Sequence, residues 1–286
     1  MDRMPRVVAL YRHPVKGFTP ESLDALTVQA DGRISGDRVL AFRFAEAAAP
    51  EDRDGLDHWP KSKGLALESF PALAALRLTY DHASTRVRID HDGTTLVDAG
   101  LDDAGRAALV DAVTAFVRAS PGGGRLKRPG RLPLVLVGDG VTARFQDRHR
   151  GYVSVHSAAS VTALSAALGQ PIDDRRFRSN IVIDDVEAWD DLGWEGEVRI
   201  GDVRLSTAGP IVRCLATHAN PDSGERDAKV LTTLTGRVGQ AEPTLGRLLI
   251  LPGVSGAVGD GSGTGGMIRL GDEVVLASGP KAAPRP

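Results

Sequence analysis

Apolar positions along the chain gather into runs of roughly four to eight residues, the length expected of strands, punctuated by Gly, Asp and Pro. Strands are predicted at 7–11, stopped by His13-Pro14, at 23–29 on β-branched content, and at 38–44 after the turn Gly36-Asp37. Residues 47–64, with Pro50, Gly55 and Pro60, read as an exposed loop over one mouth of the fold. Strands follow at 73–80 and 86–90, and Asp92-Gly93 turns the second into 94–97. Asp102 predicts the N-cap of a helix over 104–117, because Leu109, Val110, Val113, Phe116 and Val117 share one face. Pro121-Gly122-Gly123-Gly124 breaks that pattern, and a domain boundary is placed there. The basic run 125–131 then reads as a solvated linker face.

In the second half, strands are predicted at 132–137, 152–156, 180–184 and 198–207, the last turning at Gly201-Asp202. A helix is predicted from Ser157 or Ala158 to Leu168, with Gly169 at its end, and a short one around 228–235. A further strand carries Cys214, residues 254–266 read as a Gly/Ser-rich loop, and 267–270 with 273–277 as a hairpin around Gly271-Asp272. The expected fold class is α+β, mostly β, with a β-barrel-like core, in two domains, 1–120 and 125–279, and a disordered tail, 280–286.

Composition narrows the function classes. At 286 residues the chain can bury a large core, and 42% hydrophobic with 25% charged residues is ordinary for a soluble globular protein. A formal net charge of -2 gives no bulk attraction to nucleic acid or an anionic membrane, so any anion binding is local. No secretory leader pattern opens the chain and no membrane-spanning apolar run appears. One cysteine excludes an intrachain disulfide framework and fits a reducing compartment, so a cytoplasmic location is expected.

Candidate chemistry centres on Gly209-Pro210-Ile211-Val212-Arg213-Cys214. Two readings of Cys214 stand open: a small core hydrophobe, or a thiolate that binds a soft metal or carries sulfur. Arg213 beside it favours thiolate only if its charge reaches the sulfur, since strand neighbours point to opposite faces. No motif links His156 or His218 to Cys214 as a Cys-His pair, and the scattered histidines lack zinc-ligand spacing. Asp147 is a candidate acid–base group. Lys16, Arg38, Arg178 and Asn180 lie near turns at predicted strand ends and Ser157 at a helix start, the residue types a buried phosphate-bearing ligand requires.

At these residues the chain resembles the MOSC family. The likeness runs through Tyr11-Arg12-His13-Pro14-Val15-Lys16-Gly17, Gly36-Asp37-Arg38, Arg176-Phe177-Arg178-Ser179-Asn180-Ile181, Arg213-Cys214 and Ile268-Arg269-Leu270-Gly271-Asp272. It departs at Gly17, Ser179 and Leu40, where the family often has Ser, Pro and an aromatic residue. The resemblance implies an N-terminal β-barrel-like module, a molybdenum-cofactor-binding MOSC domain, and most closely the amidoxime-reducing type of oxidoreductase. It implies Cys214 as the thiolate ligand to molybdenum and, with Asp147, a catalytic residue. Lys16, Arg38, Arg178 and Asn180 would hold the molybdopterin phosphate, with Ser157 as a helper and Arg213 lining the pocket. A single cysteine cannot ligate an iron–sulfur cluster, so electrons for a small-molecule substrate would come from a separate donor protein. A non-redox carrier of sulfur or cofactor using Cys214, and a structural module with a decayed site, are the alternatives.

Overall fold

The computed structural model describes residues 4–253 and 265–276. Most of the predicted 254–266 loop and the whole 280–286 tail lie outside the described residues. The fold is α+β. An eight-stranded sheet runs in the order Val274–Leu276, Glu197–Ile200, Val203–Val212, Thr244–Ile250, Val153–Ser157, Ile181–Asp184, Arg6–Arg12, Glu21–Ser22. Only Val153–Ser157 and Ile181–Asp184 pair in parallel, the crossover being made by helix α2, Ala158–Leu168. The sheet curls until Val274–Leu276 approaches the first strand, where Arg6 bridges Glu273 and Val274 N donates to Pro5 O at 2.8 Å.

Alternation with period two decides what fills this curl. Val153 and Val155, Ile181 and Ile183, Val198 and Ile200, and Val203 and Leu205 all turn inward and are buried in one cluster. A second cluster belongs to the first half, where Phe18, Phe42, Leu73, Leu78 and Ile89 pack against Leu109, Val113 and Val117 of helix α1, Asp103–Ala119. A third lies between α2 and the short helix α3, Val230–Gly236. Strand pairing links the halves. Arg6–Arg12 pairs with Ile181–Asp184, Ala41–Phe44 with Leu134–Val137, and Ala25–Val28 with Gly266–Arg269. Among the described residues no helix is long and apolar enough to cross a membrane.

Several expectations are corrected. The strand expected at 38–44 begins only at Ala41, because Arg38 is held at φ 53°, in the left-handed region that ends extended structure. Residues 71–75 form a 3-10 turn, so the strand expected at 73–80 is Arg77–Asp81. The hairpin expected at 267–277 does not form: Gly266–Arg269 pairs with Ala25–Val28, and Val274–Leu276 with Glu197–Ile200. Strand Thr244–Ile250, central to the sheet, was not expected at all. The loop at 47–64 contains a small hairpin, Glu51–Arg53 with Leu56–His58. The basic run is not simply a linker face, since Gly123–Lys127 is a 3-10 turn that buries Leu126.

Both long helices start where their caps predict. Asp102 Oδ1 accepts from Gly105 N at 2.7 Å, and Ser157 Oγ from Ser160 N at 3.1 Å, each satisfying an otherwise orphan donor. Asp102→Ala is expected to cost about 1 kcal/mol, read as a lower urea midpoint with unchanged slope, and Asp102→Ser to recover most of it.

Candidate functional site

A cleft of about 650 Å³ opens where the two halves meet, and Cys214 lies in its wall. The strand Val203–Val212 stops two residues earlier, and Cys214 heads a 3-10 turn, its carbonyl accepting from Thr217 N at 3.1 Å. Cys214 is therefore beyond the strand, and strict alternation no longer separates it from Arg213. Both side chains line the cleft, and the sulfur is half-buried rather than sealed in hydrocarbon.

Two turns build the floor. Lys16 N donates to Leu40 O at 2.9 Å and Arg38 N to His13 O at 2.7 Å, which ties 13–16 to 38–40. Asp37, fully buried, fixes this junction: one carboxylate oxygen accepts from His13 N at 2.8 Å and the other pairs with Arg38 Nη1. Arg38 Nη2 also donates to Arg178 O at 3.2 Å, and Arg178 Nη1 to Phe18 O at 2.5 Å. Arg38 and Arg178, at φ 53° and 52°, both occupy left-handed backbone without being glycine, a strain that tertiary contacts must hold.

Arg213 is set as firmly. Its Nε donates to Leu245 O and its Nη1 to Phe177 O, both at 2.7 Å, and the guanidinium lies 5.3 Å from the Phe177 ring centroid. Its buried Nη2 has no partner among the described residues. Gly246 makes the room: at φ +81° it lacks a Cβ that would sit 2.9 Å from this nitrogen and 2.5 Å from Val155 O.

Asp147 and Lys16 form an ion pair of 2.6 Å at the edge of the cleft. Burial works to raise the Asp147 pKa, but Lys16, helped by Lys61 and Arg38, brings it down to about 2. At neutral pH it is thus a carboxylate and holds no proton to give. Burial lowers the Lys16 pKa despite Asp147. It lowers those of Arg178 and Arg213 to about 9, and the charge of Arg38 adds to the effect at Arg178. Cations depressed by burial and mutual repulsion are short of counter-charge.

Two expected ligand residues make hydrogen bonds within the fold. Ser157 is buried as the α2 cap and does not line the cleft. Asn180 does line it, but its Oδ1 accepts from Ser154 Oγ at 2.9 Å and its Nδ2 donates to Tyr11 O at 3.2 Å. Sequence reasoning missed Lys61, Arg53 and His58, all from the segment read as a loop over the mouth, and Arg148 opposite, where Arg176 and His149 also line the cleft. In all, eight Lys and Arg side chains line the cleft against two carboxylates, Glu68 and Asp147, so its chemistry is that of an anion receptor. Among the described residues no group of three or more His, Cys, Asp or Glu is arranged to hold a metal.

Residues 143–275, which include Asp147, Arg178, Arg213 and Cys214, match the MOSC domain. The chain carries a MOSC domain. It is 39% identical over 75 residues to "Mitochondrial amidoxime-reducing component 1" of Mus musculus, a stretch that is 26% of this chain and 22% of that protein. It is 38% identical over 68 residues to "Molybdenum cofactor sulfurase" of Drosophila ananassae, 23% of this chain and 9% of that one. The chain thus spans less than a quarter of the length of these relatives. Among solved structures, the YUAD protein from Bacillus subtilis is similar over 95% of this chain and 94% of that one, at TM-score 0.39 and 12% identity. Outside the matched MOSC segment, Lys16 and Arg38 complete the cleft from the N-terminal half.

The Asp147–Lys16 pair gives a pH prediction. A carboxylate whose folded pKa is depressed adds stability above its ordinary value near 3.9, lost as pH falls through the folded one, here about 2. Carboxyl NMR is expected to show Asp147 titrating near the lower value in the cofactor-free protein and moving upward in Lys16→Met. An unmoved midpoint would separate the pair.

Proposed function

We propose that this chain binds a molybdenum cofactor in the cleft and acts as an oxidoreductase on N-hydroxylated, amidoxime-type compounds, with electrons from a separate donor protein. The observation that carries the reading is the lone Cys214 sulfur in a cleft where eight cations face two carboxylates. With no protein ligand cluster around it among the described residues, a metal at Cys214 would take its other ligands from a non-protein group. A phosphate on that group answers the surplus of cations and the unpartnered Arg213 Nη2, so the residues fit a phosphate-bearing molybdopterin. The name of the mouse relative supplies the substrate class.

Bound there, the cofactor would supply two-electron metal chemistry. Cys214 would anchor the metal as thiolate, and a reducing cytoplasm would keep it free. Lys16, Arg38 and Arg178 would hold the phosphate, with Arg213 closing the wall. Asn180 would act by fixing the strands beneath it, and Ser157 by starting α2, rather than as ligands. Asp147 enters the chemistry as an acceptor. An anion that draws Lys16 away would raise its pKa toward the ordinary range and let it pass protons.

A second reading rests on the stretch shared with the sulfurase and on the half-exposure of Cys214: a non-redox carrier, with a persulfide on Cys214 or cofactor held for delivery. Turnover of an N-hydroxylated substrate with an artificial electron donor supports the reductase; a stable added sulfur on Cys214 without turnover supports the carrier.

Cys214→Ala is expected to lose molybdenum while keeping the fold and part of the pterin phosphate, because the cations that hold phosphate are untouched. Molybdenum and phosphorus per chain, measured on protein made with an active cofactor pathway, check this. Molybdenum unchanged in the variant would remove Cys214 as ligand.

A further inference from the structure

The cations of the cleft fall into two levels. Lys16, Arg38, Arg178 and Arg213 form its floor and wall, Lys16 paired with Asp147 and the three arginines tied to main-chain carbonyls. Arg53 and Arg148 stand at the rim, both exposed, both lining the cleft, and neither with a carboxylate partner among the described residues. Lys16 lies where the levels meet, since its charge acts on His58 of the rim as well as on Asp147.

The rim is a built structure. Arg43, almost fully buried in strand Ala41–Phe44, donates to Ala47 O at 3.2 Å and Pro60 O at 2.7 Å, pinning both ends of the rim segment. Trp59 packs edge-on to Phe145, ring centroids 4.8 Å apart, which joins the hairpin to the loop carrying Asp147 and Arg148. His58 and His149 meet across the same seam at 6.4 Å. His58 Nδ1 is buried with no hydrogen-bond partner among the described residues. Burial and the neighbouring Arg53 hold the His58 pKa below its ordinary value, which leaves the ring neutral and able to donate or accept one hydrogen bond. Of the acids near the rim, Glu51 pairs with Lys63 and Asp54 faces His149, and neither lines the cleft, while the two that do, Glu68 and Asp147, pair with Lys61 and Lys16.

Lys16, Arg38, Arg178 and Arg213 would meet the phosphate of the proposed cofactor, and Arg53 and Arg148 would then still lack a counter-charge. We infer that the rim takes a second anion, the carboxylate or similar oxyanion of the substrate, gripped by Arg53 and Arg148 with His58 beside it. The cleft is therefore selective for anionic N-hydroxylated compounds; this selectivity rests on the reductase reading above, whereas the rim anion site does not. A second phosphate, on a cofactor extended as a dinucleotide, offers the same chemistry and is separated by its stoichiometry.

The test compares a neutral aryl amidoxime with the same molecule bearing a para-carboxylate, on the cofactor-loaded protein. The carboxylate is expected to have the higher kcat/KM, by about tenfold or more, with the difference mainly in KM. The ratio is expected to fall towards one in the Arg53→Gln/Arg148→Gln double variant and with rising ionic strength. Calorimetric titration of benzoate against benzamide is the second arm. It decides the proposal if neither amidoxime turns over: benzoate bound by the parent and lost in the double variant keeps the anion site while the reductase reading fails. Turnover without preference for the carboxylate overturns the proposal and leaves the reductase reading intact. Two phosphorus atoms per molybdenum would assign the rim to the cofactor and also overturn it.

Discussion

Unneutralised positive charge in a half-buried cleft is the constraint around which this structure is arranged. Guanidinium groups taken out of water are costly unless something meets them, and the protein meets them only in part. Asp37 anchors Arg38, Asp147 covers Lys16, and main-chain carbonyls accept from Arg178 Nη1 and from Arg213 Nε and Nη1. What remains, including Arg213 Nη2, is a standing demand for an anion. The backbone bears its own cost at the same place, in left-handed Arg38 and Arg178 and in Gly246, whose missing side chain lets Arg213 pass.

The curled sheet makes that cost supportable. Its inward residues are aliphatic and closely packed, which gives the strand ends around 153, 180, 211 and 248 a rigid base. The cleft is not supplied by one half alone. Lys16 and Arg38 come from turns in the first half, and Arg178, Arg213 and Cys214 from the second, so pairing of Arg6–Arg12 with Ile181–Asp184 is also what assembles the site. Binding of an anion across that seam would reinforce the union of the halves.

Local signals in the sequence were enough for the helices, because caps such as Asp102 and Ser157 act over three residues. They were enough for strands with clean alternation, such as Val153–Ser157. They failed at Thr244–Ile250, where Gly246-Arg247 interrupts the apolar run for reasons that lie in Val155 and Arg213, far off in the chain. They failed again near the C-terminal end, where turn chemistry at Gly271-Asp272 suggested a hairpin, yet the partners were Ala25–Val28 and Glu197–Ile200. The cations at Lys16, Arg38, Arg178 and Arg213 were named by resemblance, and the structure brings them into one cleft. Ser157 caps α2 and does not line the cleft, and a helix cap and a phosphate ligand look alike in sequence. Arg53 and Arg148 were missed because a rim cation cannot be told from any other surface cation until the rim exists.

The central claim, that the cleft is held short of negative charge, is tested most directly by the thermal midpoint of cofactor-free protein in phosphate and in chloride at equal ionic strength. Phosphate is expected to raise the midpoint progressively with concentration, beyond any effect of chloride, as selective binding to the native state requires. Identical midpoints in the two salts would contradict the account.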